Sequence, residues 1–71
     1  MVKHTQYIEN EIDNFYHYDS KQLLTESLFI IQGILEFCHK TQILNYDEIV
    51  NLNNKAYKEY HKNIKRLEKG I

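Results

Sequence analysis

The chain has no proline and only two glycines, Gly33 and Gly70, in 71 residues. Tight hairpins and turn-rich β folds draw on those two residue types for φ > 0 and for rigid corners. Long helices need neither, so the composition points to an all-α fold. Two helix starts are written in the sequence. In Tyr18-Asp19-Ser20-Lys21-Gln22-Leu23, Asp19 is placed to cap, Gln22 to close a capping box, and Tyr18 and Leu23 to form a hydrophobic staple. In Leu44-Asn45-Tyr46-Asp47-Glu48-Ile49, Asn45 and Glu48 form the box and Leu44 and Ile49 the staple. These signals divide a single domain, residues 1–71, into helices over about 4–18, 20–42 and 46–69, with Gly70 as a C-terminal cap.

The apolar periodicity assigns faces to these helices. Ile8, Ile12 and Phe15 share a stripe on the first, with Tyr16 beside it. Ile49, Leu52, Ala56, Tyr60 and Leu67 share a face of the third, flanked by Tyr57 and Ile64. On the second, the apolar arc runs from Phe37 through Ile30, Leu23, Ile34, Cys38, Ile31, Leu24 and Leu35 to Leu28. At about 100° per residue it covers roughly 180° of the helix. An arc that wide contacts more than one neighbour. The expected architecture is therefore a small three-helix antiparallel bundle with the second helix central, completed by dimerisation.

A folded chain of this length buries only about 60% of its unfolded surface, and small domains usually need a disulfide, a metal or a partner subunit. One cysteine permits no internal disulfide and fits a reducing, cytoplasmic setting. The N-terminal stretch lacks the apolar core of a signal peptide, and the longest unbroken apolar run, Leu28 to Ile31, is too short to cross a membrane.

Glu36-Phe37-Cys38-His39 brings a carboxylate, a thiol and an imidazole together in sequence. Helical geometry separates them: Glu36 and His39 lie within about 60° of each other, while Cys38 points about 160° away from Glu36. Cys38 falls among Ile31, Leu24, Ile34 and Leu35, where a thiol packs as a small hydrophobe and is inert. Glu36-x-x-His39 is half of a carboxylate-bridged di-iron pattern, but Glu36 lies on the polar side, whereas bundle metal ligands project inward. A weak i,i+3 contact is the expected role. Ser20 and Ser27 lack the glycine-framed turn of a nucleophile, and no phosphate-binding glycine loop is present. The expectation is a non-enzymatic protein with no cofactor and no metal.

Two surfaces remain as binding candidates. Gly33 interrupts the second helix at about 1 kcal/mol relative to alanine. Phe29 stands out in a polar strip with Glu36, beside Gly33, where a second backbone can approach. On the third helix, Lys55, Lys58, Lys62, Lys65, Arg66 and Lys69 share an arc of about 100°. Residues 1–54 carry three lysines against eight acidic residues, and residues 55–71 carry five lysines and Arg66 against two glutamates. The basic stripe suits an acidic protein surface, the acidic first helix of a second subunit included, or nucleic-acid phosphates.

Asn, Lys, Ile and Tyr supply 30 of the 71 residues, all types with AT-rich codons. In size and composition the chain looks like small helical accessory proteins of phages and mobile elements in AT-rich bacteria. That resemblance implies a regulator or inhibitor that binds a larger protein. The expected contact residues are Phe29, Gly33 and Glu36, with Lys55, Lys58, Lys62, Lys65 and Lys69. A homodimer is the expected assembly, and a nucleic-acid-binding regulator is the alternative.

Overall fold

The computed structural model describes residues 4–69 and contains no strand among them. Helix α1 spans His4–Asp13 and tightens into a 3-10 turn over Asn14–His17, α2 spans Lys21–Lys40, and α3 spans Tyr46–Lys69. The proposed cap at Gly70 lies outside the described residues.

The end of the first segment departs from the expected continuous helix. Three residues per turn set Phe15 directly over Ile12, and both are fully buried with Ile8. Tyr16 is thereby turned out to solvent and lies against the His17 ring, 3.9 Å between centroids. Tyr18 N–H then closes on the Phe15 carbonyl at 3.2 Å.

Helix α2 begins one residue later than the sequence signal placed it. Ser20, not Asp19, is the cap, extended at φ −125°, ψ 133°, and its Oγ accepts from Leu23 N–H at 3.4 Å. Asp and Ser cap about equally well, so tertiary anchoring decides between them. Arg66 donates to the Tyr18 carbonyl at 3.0 Å, and Tyr18 packs against the core, which fixes the chain just before Ser20. Gln22 is left to bond Glu26 at 3.2 Å. At the far end, Thr41 is the C-cap and Gln42 adopts φ 60°. Gln42 N–H reaches the His39 carbonyl and Ile43 N–H the Cys38 carbonyl, at 3.2 and 3.0 Å. This is a Schellman motif with glutamine in the usual glycine position. Helix α3 opens on the Asn45–Glu48 box: Asn45 Oδ1 accepts from Glu48 N–H at 2.8 Å, and Glu48 Oε1 from Asn45 N–H at 3.1 Å.

The core gathers Ile8, Ile12 and Phe15 with Leu24, Leu28, Ile31, Leu35 and Cys38 of α2, and Leu44, Leu52 and Ala56. Polar pairs stitch the helices at the rim of this core. Thr25 meets the Tyr60 hydroxyl at 2.9 Å, and Gln32 donates to the Tyr57 hydroxyl. Asn63 is 2% exposed and bonded at both of its polar atoms: its Nδ2 donates to the Glu59 carbonyl at 2.8 Å, and its Oδ1 accepts from Arg66 Nε at 2.9 Å.

Helix α2 is not the enclosed middle layer the wide arc suggested. The three helices meet pairwise, and α1 rests on α3 more extensively than on α2. With extents of 42 × 22 × 16 Å and helices about 10–12 Å across, none of the three is surrounded by the others. One edge of the apolar arc of α2, three of its nine residues, is therefore uncovered. Leu23, Ile30 and Phe37, expected in the core, are 49%, 63% and 60% exposed.

Candidate functional site

The outer side of α2 is the first candidate surface. Its buried residues centre on Leu24, and the opposite side centres on Gly33, about 180° away at 100° per residue. Phe29 lies there, 63% exposed. A Cβ built on Gly33 meets no atom within 4 Å, so the helix surface at that point is open. Glu36 is exposed and pairs with Lys40 at 3.1 Å across i,i+4, rather than with His39 as the spacing suggested. His39 lies by the Tyr46 ring instead, 6.5 Å between centroids.

Leu23, Phe29, Ile30 and Phe37 on α2, with Ile43 just beyond it, are all of the exposed large hydrophobics other than tyrosines among the described residues. Sequence reasoning singled out Phe29 alone. The missed signal was the width of the arc: a helix in a small bundle buries a stripe of about 100°, and a 180° arc holds more than two neighbours cover. Beside this surface, Tyr7, Glu11, Tyr18, Ser27, Ile30 and Ile34 line a cleft of about 100 Å³ between α1 and α2. Small-molecule sites are several times larger.

The basic stripe of α3 is narrower than its sequence. Lys55 Nζ pairs with Asp13 at 3.3 Å and ties α3 to α1. Arg66 is held between Asn63 and the Tyr18 carbonyl. Lys58, Lys62, Lys65 and Lys69 form no ion pair among the described residues and border a shallow trough with His61. They follow i, i+4, i+7, i+11 spacing, which is a straight row about 16 Å long.

Cys38 is 5% exposed and carries a free thiol. No cluster of three or more His, Cys, Asp or Glu with metal-binding geometry occurs among the described residues. None of the described helices is long and apolar enough to cross a membrane. No protein-family model, curated protein or solved structure matches the chain.

Proposed function

We propose that the chain is a non-enzymatic antiparallel three-helix bundle that acts in the cytoplasm by protein–protein contact, as a regulator or inhibitor of a larger protein. One observation carries the reading. Among the described residues, the exposed non-tyrosine hydrophobics collect on the outer side of α2, with Ile43 just past its end, instead of scattering over the surface. Isolated exposed hydrophobics are ordinary, but a contiguous patch with aromatic residues and a polar rim has the make-up of an interface core. Phe29, Ile30 and Phe37 supply the apolar contact, and Glu26, Glu36 and Lys40 the rim. A carrier of this kind fits the phage or mobile-element character of the composition.

The test is affinity capture from the source cell with the native chain and with Phe29→Glu and Phe37→Glu. Both positions are solvent-exposed, so the variants keep the helical circular dichroism of the native chain. Loss of a captured protein in both variants supports the reading. Unchanged capture removes the α2 face from it.

A second reading rests on the unpaired row of Lys58, Lys62, Lys65 and Lys69. Four phosphate contacts from one row give binding that falls with salt at a slope of about −0.9 per contact on duplex DNA. Titration of duplex DNA and RNA at low and moderate salt separates the readings. Absence of salt-sensitive binding at low ionic strength ends the nucleic-acid one.

A further inference from the structure

We propose that the occupant of the α2 face is a second copy of this chain, packed antiparallel about a two-fold axis at Gly33. The inference rests on the reading of this face as a contact surface and adds what covers it.

The argument is the spacing. Glu26, Phe29, Gly33, Phe37 and Lys40 fall at −7, −4, 0, +4 and +7 from the glycine. At about 100° per residue they occupy an arc of roughly 80° centred on Gly33. A two-fold interface brings each position against its mirror in the other copy. Reversal about Gly33 sets Glu26 level with Lys40 of the partner subunit, about 10 Å from the axis, and Phe29 level with Phe37 of the partner subunit, about 6 Å from it. Glu26 and Lys40 then each face an opposite charge and each phenylalanine another phenylalanine, while Glu36 lies level with Ile30 of the partner subunit and stays with Lys40 at the rim. Leu23 and Ile43, ten residues on either side of Gly33 and both exposed, extend the apolar contact at its ends.

Gly33 stands where two backbones come closest. It carries no side chain and has open space over it, which lets the helices approach as a larger residue would not. The face lies diametrically opposite Leu24 at the centre of the core, so α1 and α3 stay clear of the incoming copy. Lys40 already holds Glu36 through an exposed pair, and such a pair is weak enough to exchange or share its partner. A chain this small gains from the added buried surface, since it covers little of its apolar area alone. A helix from an unrelated protein could cover the phenylalanines, but nothing would require it to present opposite charges at mirrored positions.

The experiment is solution mass by sedimentation from micromolar to about 1 mM protein, the range over which a weak dimer dissociates. The native chain should move from 8.6 kDa toward twice that mass. Glu26→Lys sets like charges against each other at both ends and should raise the dimer Kd about tenfold. The double variant carrying Glu26→Lys and Lys40→Glu should restore it to within about threefold, because the pairs are re-formed with signs exchanged. Gly33→Cys should form an inter-subunit disulfide under mild oxidation, since only a residue on the axis meets its own copy. Circular dichroism on each variant checks that the monomer fold is intact. A chain that stays at 8.6 kDa throughout overturns the proposal. So does a dimer that is indifferent to the charge reversal or that fails to cross-link through Gly33→Cys. If the chain stays monomeric while Phe37→Glu abolishes capture of another protein, the second-copy inference fails and the contact surface stands. If mass and capture are both insensitive to the face, both fail.

Discussion

Asn63 is the one polar residue with a buried side chain among the described residues, and replacing it separates two accounts of why it is there. Its amide makes two bonds, one donated to the Glu59 carbonyl and one accepted from Arg66 Nε. Asn63→Ala removes both but strands nothing. The Glu59 carbonyl sits inside α3, where the backbone N–H four residues on also serves it, and Arg66 is exposed and finds water. The loss is the net worth of two hydrogen bonds, about 2 kcal/mol, less about 0.6 kcal/mol for the better helix propensity of alanine. The expected cost is therefore about 1.5 kcal/mol, or a Tm lower by about 6–12 °C in a domain of this size. Asn63→Asp keeps an acceptor for Arg66 yet should cost more, about 2–3 kcal/mol. It turns a donor into a carboxylate oxygen against a carbonyl and buries a negative charge at a position only 2% exposed. Thermal unfolding followed by circular dichroism, at one fixed protein concentration, gives the order. If Asn63→Asp proves milder than Asn63→Ala, the Arg66 contact rather than the carbonyl bond holds Asn63, and the reasoning is refuted.

Three further predictions follow from local geometry. Gln42→Gly relieves a left-handed residue at the end of α2 and should stabilise the chain by about 0.5–1 kcal/mol in urea unfolding, whereas Gln42→Val should destabilise it. Asn45→Ala should cost about 1 kcal/mol; because Asn45 and Glu48 bond reciprocally, the double Ala variant should cost less than the two single losses together, with a coupling of at least about 0.5 kcal/mol. The Cys38 thiol should resist an aromatic disulfide reagent in the folded chain and react at once in denaturant; prompt reaction without denaturant would contradict its burial.

Helix content was legible because every local signal agreed: no proline, capping residues before two apolar runs, and 3.6-residue periodicity in all three segments. The Asn45 box works as written because its two members bond each other and nothing anchored elsewhere in the fold competes for them. The Asp19 box does not, because Tyr18 is anchored from a distance of 48 residues by Arg66, and local pattern cannot register that pull. The same blindness applied to Asn63 and to Lys55. An asparagine among apolar helix positions reads as an irregularity until its two partners are seen in space. Lys55 read as part of a solvated stripe until Asp13 of α1 was found beside it. For the candidate surface, the sequence located Phe29 and Gly33 but counted Leu23, Ile30 and Phe37 as core. Hydrophobicity tells which side chains gain from burial, not how many neighbours are available to bury them.

That shortfall of neighbours makes α2 informative. A helix needed only to complete this fold would carry apolar residues on the side that meets α1 and α3, and alanine or a charged residue where Gly33 stands. Alanine would fit there without contact and would favour the helix by about 1 kcal/mol. Phe29 and Phe37 do nothing for the monomer core from positions more than half exposed, and they add a hazard of non-specific association. A chain of marginal stability thus carries an unforced helix-weakening residue and exposed aromatics on the same arc. The two costs share one rationale if a second helix lies across that arc. The glycine then sets the depth of approach and the phenylalanines fill the space on either side of it, with Glu26 and Lys40 fixing direction at the ends. Helix propensity and monomer packing account for the inner side of α2, and neither accounts for the outer one.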